Sequence, residues 1–161
     1  MKKLCIKTSL ASYTLEELSE SDRALILEAK EMTKKSYSPY SHFQVGAAAL
    51  LADGTIIKGS NQENAAYPSG LCAERTTLFA ANANYPNVPV VALAIACFTQ
   101  GHFTANPGTP CGSCRQVMLE TEHRFNTPMR VLLYGENEIY VFEKAADLLP
   151  FGFFAEDLKG N

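Results

Sequence analysis

The chain has 161 residues, a net charge of −3 and 47% apolar residues, which fits one domain over residues 1–161 with a substantial core. Its acidic balance and scattered lysines and arginines argue against a basic groove for nucleic acid. The N-terminus MKKLCIKTSL lacks the apolar run of a signal peptide or a membrane span, so the expectation is a soluble, cytoplasmic protein with neither nucleic-acid nor membrane partners.

Residues 1–20 read as an N-terminal extension, with a short extra strand predicted over 4–10. Thr14 with Glu17 resembles a capping box, and Ser21-Asp22 is a second possible helix start. Leu15, Leu18, Asp22, Leu25, Ala29 and Met32 recur at helical spacing and predict a helix running to about residue 35. Pro39, in SYSPYSHF, breaks it. FQVGAAALL (43–51) is a buried-strand run, Asp53-Gly54 signals a hairpin, and TIIKGSN returns as the second strand. A helix starts near Cys72. VPVVALAIACF (88–98) reads as a central strand, followed by the Gly/Pro-rich loop TQGHFTANPGTP. A further helix, CGSCRQVMLETEH, ends before Pro128. RVLLY and EIYVF are two more strands, joined by too few residues for a parallel crossover, and so predict an antiparallel hairpin. The tail ADLLPFGFFAEDL reads as a short helix and an aromatic-rich end. The order implies an α/β fold of three α/β/α layers around a mixed five-stranded sheet.

Five cysteines, an odd number without framework spacing, suit metal binding or chemistry better than disulfides. Cys111 and Cys114 form a C-x2-C pair after Pro110, on one face of a helix start. Cys72 opens another helix. Helix N-termini favour thiolates, and thiolates bind zinc. Three thiolates would hold one Zn2+ and leave a fourth position open, as catalytic sites do. Glu74, two residues past Cys72, stands outside the ligand set and can move protons at that position. Three negative sulfurs would make the complex anionic; Arg75 is placed to offset this, and Arg115 is a second candidate. The same cysteines also admit a redox pair, or a closed structural site completed by Cys97 or Cys5.

The pattern C-x-E followed by P-C-x-x-C is the zinc nucleobase deaminase signature. PYSHFQVGAAAL, GSNQENAAYPSGLCAERTTLFAA, PCGSCRQVMLE and DLLPFGF together resemble the small cytidine deaminases that act on free nucleosides, from about residue 22 to the end. The resemblance implies zinc on Cys72, Cys111 and Cys114, one ion per chain, and Glu74 as proton shuttle. It implies hydrolysis of cytidine and deoxycytidine at C4 with loss of ammonia, in pyrimidine salvage. The amide of Ala73 would face the pyrimidine edge, Asn61 and Glu63 would bind the ribose hydroxyls, and Phe43 would line the pocket. Asn61 and Glu63, two residues apart at a strand end, project to one side, and a carboxylate there would also repel a phosphate. An aromatic of the tail would reach in from a neighbouring subunit of a homotetramer: Phe153 by count, with Phe151 and Phe154 close by. The chain departs from the family in the extended loop carrying His102, in residues 1–20 and in a bulkier tail. Nucleic-acid deaminases tend to place histidine where Cys72 stands and to run their last two strands parallel. A deaminase of cytosine-containing antibiotics is less cleanly separated, and a non-catalytic zinc module would have no use for Glu74.

Overall fold

The computed structural model describes residues 1–159; the last two residues of the expected domain lie outside the described residues. In chain order the elements are Ala11–Tyr13 (β1), Glu20–Thr33 (α1), Gln44–Leu51 (β2), Ile56–Ser60 (β3), Ala73–Asn84 (α2), Val90–Thr99 (β4), His102–Phe103 (β5), Gly112–Phe125 (α3), Arg130–Tyr134 (β6) and Ile139–Phe142 (β7), with short 3-10 turns at Tyr67–Ser69, Ala145–Leu148 and Asp157–Lys159.

The strands form one mixed sheet in the order β1-β7-β6-β4-β2-β3, with β5 paired to β4. β3 and β4 each run antiparallel to β2, and β4 runs parallel to β6. So β3, β4 and β6 all point the same way. α2 carries the chain from β3 over β2 to β4, and α3 carries it on from β4 to β6 in the same sense across the sheet. Parallel crossovers are right-handed, so two crossovers progressing in one direction lie on one face. That face holds Ala73, Leu78 and Ala81 of α2 and Cys114 and Met118 of α3 against Ala47, Ala49, Leu93, Ile95 and Val131. The alternate residues of the same strands, among them Ala48, Ala94, Ala96 and Leu132, meet Leu25, Ile26 and Ala29 of α1 on the other face. The three α/β/α layers are those expected from the sequence.

The sheet has seven strands rather than five. One addition is β1. Residues 4–10, expected as a strand, are unpaired and exposed; the pairing falls at Ala11–Tyr13, which matches Ile139–Val141 of β7. β7 ends at Phe142, one residue beyond the partner of Ala11, so it offers at most one partner to the chain before Ala11. The other addition is β5, which lies in the segment expected as loop. Gln100 (φ 52°) and Gly101 (φ 86°) both sit in the left-handed region, as a two-residue hairpin requires, and fold His102 and Phe103 back onto Thr99 and Phe98. α1 starts after Ser19, whose hydroxyl accepts from Asp22 N (3.2 Å), and it stops at Thr33. Thr14 and Glu17 make only a turn, in which the Glu17 carboxylate accepts from Thr14 N (2.8 Å). β6 and β7 are the antiparallel hairpin their short connection required. Among the described residues, no helix is long and apolar enough to cross a membrane.

Two contacts fix α1 to the sheet. Buried Asp22 accepts two hydrogen bonds from Arg130 of β6, each 3.0 Å, a paired geometry that sets the angle of the helix. Gly46 of β2 lies directly under α1: a Cβ there would meet the carbonyl of Ala29 and come within 2.6 Å of Thr33 N. Both are backbone atoms and cannot swing away. Gly46→Ala is therefore expected to cost about 3 kcal/mol, the upper part of the usual overpacking penalty, read as a lowered urea midpoint at unchanged slope.

Candidate metal centre and substrate cavity

The common direction of β3 and β4 brings the starts of α2 and α3 to the same end of the sheet, where open α/β sheets place their ligands. Cys72 is the N-cap residue of α2, Cys111 that of α3, and Cys114 lies in the first turn of α3. Neither N-cap side chain caps a backbone N–H of its own helix, so both thiols are free to turn towards each other. Cys72 Sγ is 3.9 Å from Cys111 Sγ, which is 3.4 Å from Cys114 Sγ, and all three sulfurs lie within 4.8 Å of one another. Zinc–sulfur bonds of about 2.3 Å at tetrahedral angles hold sulfurs about 3.8 Å apart, so this donor set fits zinc.

Neither of the further cysteines joins the group. Cys97 is buried in β4, and burial pushes its thiol up to about 12, so it stays protonated. Cys5 is exposed in the N-terminal segment.

The electrostatics of the trio call for a cation. Cys72 is pulled down to about 5, first by a hydrogen bond from Cys114, with further help from Arg75 and Cys111. Cys114 is pushed the other way, because it donates to Cys72 and is buried. Three thiolates this close together would need a metal ion to balance their charge. Arg75 Nη2 donates to Cys72 Sγ (3.7 Å) and offsets part of the sulfur charge. Arg115 does not share this role: its Nε donates to Pro110 O (2.9 Å) and its Nη1 to Leu148 O (3.2 Å), which braces the turn before Cys111.

Cys72, Cys111, Glu74 and Arg75 open onto a cavity of about 820 Å³. Glu74 is 5% exposed, and burial raises its carboxyl above the ordinary range. Ala73 is fully buried at the first position of α2, where its backbone N–H has no partner inside the helix. Phe43, Asn61 and Glu63 line the same cavity. Asn61 and Glu63 do more than face it. Asn61 Oδ1 accepts from Ser36 Oγ (2.6 Å) and Val45 N (2.8 Å), and its Nδ2 donates to Phe43 O (2.9 Å). Glu63 accepts from Tyr40 N (2.9 Å), Ser41 N (3.3 Å) and the Ser41 hydroxyl, which is the chief reason its carboxyl lies below the ordinary range.

Phe153 lies outside this cavity. Its backbone exchanges two hydrogen bonds with the Gln116 side chain (3.0 and 2.7 Å), and the residue is 56% exposed. Phe151 is also exposed, and Phe154 packs edge-on against His123. His102 is exposed on β5, its Nδ1 2.8 Å from Phe103 O, and does not line the cavity. The sequence reading missed Ser36 and Ser41, which hold Asn61 and Glu63. The signal was the run of serines around Pro39, read only as a helix breaker. Tyr40, Tyr67 and Leu71, at the cavity rim, were missed as well.

Fold and centre together define the class: an α/β/α protein whose paired helix starts build a thiolate metal site that opens into a small-molecule cavity. A family model described as "Cytidine and deoxycytidylate deaminase zinc-binding region" matches residues 19–126. A cytidine deaminase of Halalkalibacterium halodurans is 44% identical over 135 residues, which cover 83% of this chain and 95% of that protein. One from Sporosarcina psychrophila is 42% identical over 134 residues, covering 83% and 92%. The crystal structure of cytidine deaminase from Burkholderia pseudomallei superposes with a TM-score of 0.70 at 40% identity, over 84% of this chain and all of that one. The chain belongs to the cytidine and deoxycytidylate deaminase family.

Metal analysis by mass spectrometry should find one zinc per chain. Cys72→Ala, Cys111→Ala and Cys114→Ala should each lose it, while Cys5→Ala and Cys97→Ala should keep it.

Proposed function

We propose that the protein is a zinc-dependent cytidine deaminase: it hydrolyses cytidine and deoxycytidine to uridine and deoxyuridine with release of ammonia, in cytoplasmic pyrimidine salvage, as a single catalytic domain over residues 1–161. The observation that carries this reading is the three-sulfur centre opening, beside the buried Glu74, into a cavity of about 820 Å³. Membership of the family and the activity named for its relatives support it.

Zinc held by Cys72, Cys111 and Cys114 would supply Lewis acidity to a water, bringing its ionisation towards neutral pH. The chain's own groups do the rest. Glu74 takes one proton from the attacking water and gives it to ring N3, then takes the second from the new C4 hydroxyl and gives it to the departing amine, which leaves as ammonia; a carboxyl raised by burial is suited to both taking and giving protons. Arg75, on Cys72 Sγ, keeps the sulfur charge from quenching the Lewis acidity. The Ala73 N–H, without a partner inside its helix, would donate to the pyrimidine edge from behind the cavity wall, and Phe43, which lines the cavity, would pack beside the nucleoside.

At the sugar end, Asn61 has one N–H left after its bond to Phe43, and Glu63 has about one acceptor site left after three donors. A donor and an acceptor side by side suit one sugar hydroxyl, and the Glu63 charge repels a phosphate, so nucleosides are favoured over nucleotides.

The cavity lies in the upper part of the size range for small-molecule sites, which supports closure by a neighbouring subunit. We assign that role to Phe153 in a homotetramer. The exposed Tyr67, Phe79, Phe151 and Phe153 supply the apolar surface such an assembly needs.

Zinc-loaded protein should remove the ultraviolet band of cytidine as uridine forms; an inert, fully loaded protein would reject the reading. Glu74→Gln should retain its zinc and lose at least ~10²-fold in rate, the scale of removing a general acid–base. Phe153→Ala and Glu74→Gln should both be weak alone, yet co-expressed they should regain activity, because the intact Glu74 of one chain meets the intact Phe153 of another. No recovery in mixed oligomers would place Phe153 outside the neighbour's site.

A further inference from the structure

The Glu63 carboxylate sits on a segment that is neither helix nor strand, between Ser60 and the Tyr67–Ser69 turn. A glutamate in such a place ordinarily loses rotamer entropy when it orients a ligand. Here three donors already hold it, and they divide unequally. Tyr40 N and Ser41 N both reach Oε2, so these two amides alone would leave the carboxylate free to pivot about one oxygen. The Ser41 hydroxyl is the donor on Oε1. It is also engaged behind: Ser41 Oγ accepts from Phe43 N (3.0 Å). A hydroxyl has one proton, and with Phe43 N pointing at its oxygen that proton goes to Glu63. Ser41 thus links the Glu63 carboxylate to the backbone of Phe43, two residues that line the same cavity. The turn that presents it is constrained. His42 has φ 54° without being glycine, a conformation held by His42 N donating to Ser38 O (3.0 Å) and by the bonds on either side of it.

We propose that Ser41 is a positioning residue for substrate recognition: its hydroxyl fixes the orientation of the Glu63 carboxylate, and so sets how strongly the enzyme favours a nucleoside with sugar hydroxyls over one without them. The proposal rests on the assignment of Glu63 to the sugar. Ser41 itself need not touch the substrate. Removing its hydroxyl leaves the charge of Glu63 and the two amide bonds in place, so the fold and the metal centre are retained while the aim of the carboxylate is lost.

The test compares kcat/KM for cytidine and for 2′,3′-dideoxycytidine in zinc-loaded wild type and variants. In Ser41→Ala, kcat/KM for cytidine should fall about ten-fold, the scale of one charge-assisted hydrogen bond, while the value for dideoxycytidine stays within about two-fold. Ser41→Thr, which keeps the hydroxyl, should restore the wild-type ratio. A purely structural role would lower both substrates together. If Ser41→Ala does not accumulate folded, Ser41→Cys, with a similar shape and a weak donor, takes the same measurement. An unchanged ratio in the Ser41 variant overturns the proposal. Glu63→Gln separates the two levels of the argument. If it collapses the ratio while the Ser41 variant does not, only the Ser41 proposal fails. If it leaves the ratio intact, or if wild type treats both substrates alike, the assignment of Glu63 to the sugar fails as well.

Discussion

Strands β3, β4 and β6 point the same way because β2 runs against both β3 and β4, and every feature of the metal centre follows from that direction. A chain leaving β3 and a chain leaving β4 emerge at the same end of the sheet. Handedness then puts both following helices on one face, so their N-termini lie side by side. Each N-terminus offers unpaired amides and a partial positive charge. Cys72 and Cys111 occupy the two N-cap positions, where a side chain projects off the helix start rather than along it, and Cys114 returns to the same spot one turn later. The fields of two helices favour thiolates there. Even so, three negative sulfurs within 4.8 Å would repel one another. The metal ion is therefore what makes the arrangement stable in its fully ionised form, which couples metal binding to the packing of α2 against α3.

The two ends of the cavity are built on different principles. The metal end is carried by core elements: Ala73, Cys114 and Met118 are fully buried, and the ligand positions are fixed by helix and sheet geometry. The sugar end is carried by irregular chain between α1 and β2 and after β3. Its shape depends on side chains used as backbone partners: Asn61 for Val45 and Phe43, Glu63 for Tyr40 and Ser41. Such exposed hydrogen-bonded loops open at lower free energy than core strands. Rate and recognition are thereby separable. On the proposed assignment of Asn61 and Glu63 to the sugar, changes around Ser36–Phe43 would alter which nucleoside is held without disturbing the ligands, whereas changes at the helix starts would reach the chemistry directly.

What the sequence disclosed follows the same division. Cys72, Glu74, Cys111 and Cys114 were legible because their spacing is read against a helix, and a helix fixes what lies beside what. Arg75 is three residues from Cys72 and so shares its face, while Arg115 follows Cys114 directly and is rotated away, towards Pro110 O. Asn61 and Glu63 were legible as cavity residues, but their bonds to the 36–45 segment were not, since those depend on how two loops meet. The strand expected at 4–10 was misplaced because the sequence does not say in which register the chain meets β7. β5 was missed because two residues are too few to show a period, although Gln100-Gly101 is an acceptable hairpin turn.

The loop before Cys111, longer than the family resemblance leads one to expect, directs its first half away from the site. Gln100-Gly101 and β5 fold back on the end of β4, away from the cavity, where Phe103 packs edge-on against Phe98 and Tyr134 and lies under Lys30 Nζ at 4.5 Å. Beyond β5 the chain is tied down again: Thr104 N donates to Cys97 O (3.0 Å), and Glu136 N and Asn137 N donate to Thr104 O and Ala105 O (3.0 and 2.9 Å). It then crosses the end of β4 so closely that a Cβ at Gly108 would come within 2.5 Å of Cys97 Sγ, and a larger residue there would require the Cys97 side chain to turn away. From that anchored point just two residues, Thr109 and Pro110, lead to Cys111. The insertion is therefore isolated from the ligand by a short, pinned connection, and Cys97 serves as the surface that pins it rather than as a fourth ligand.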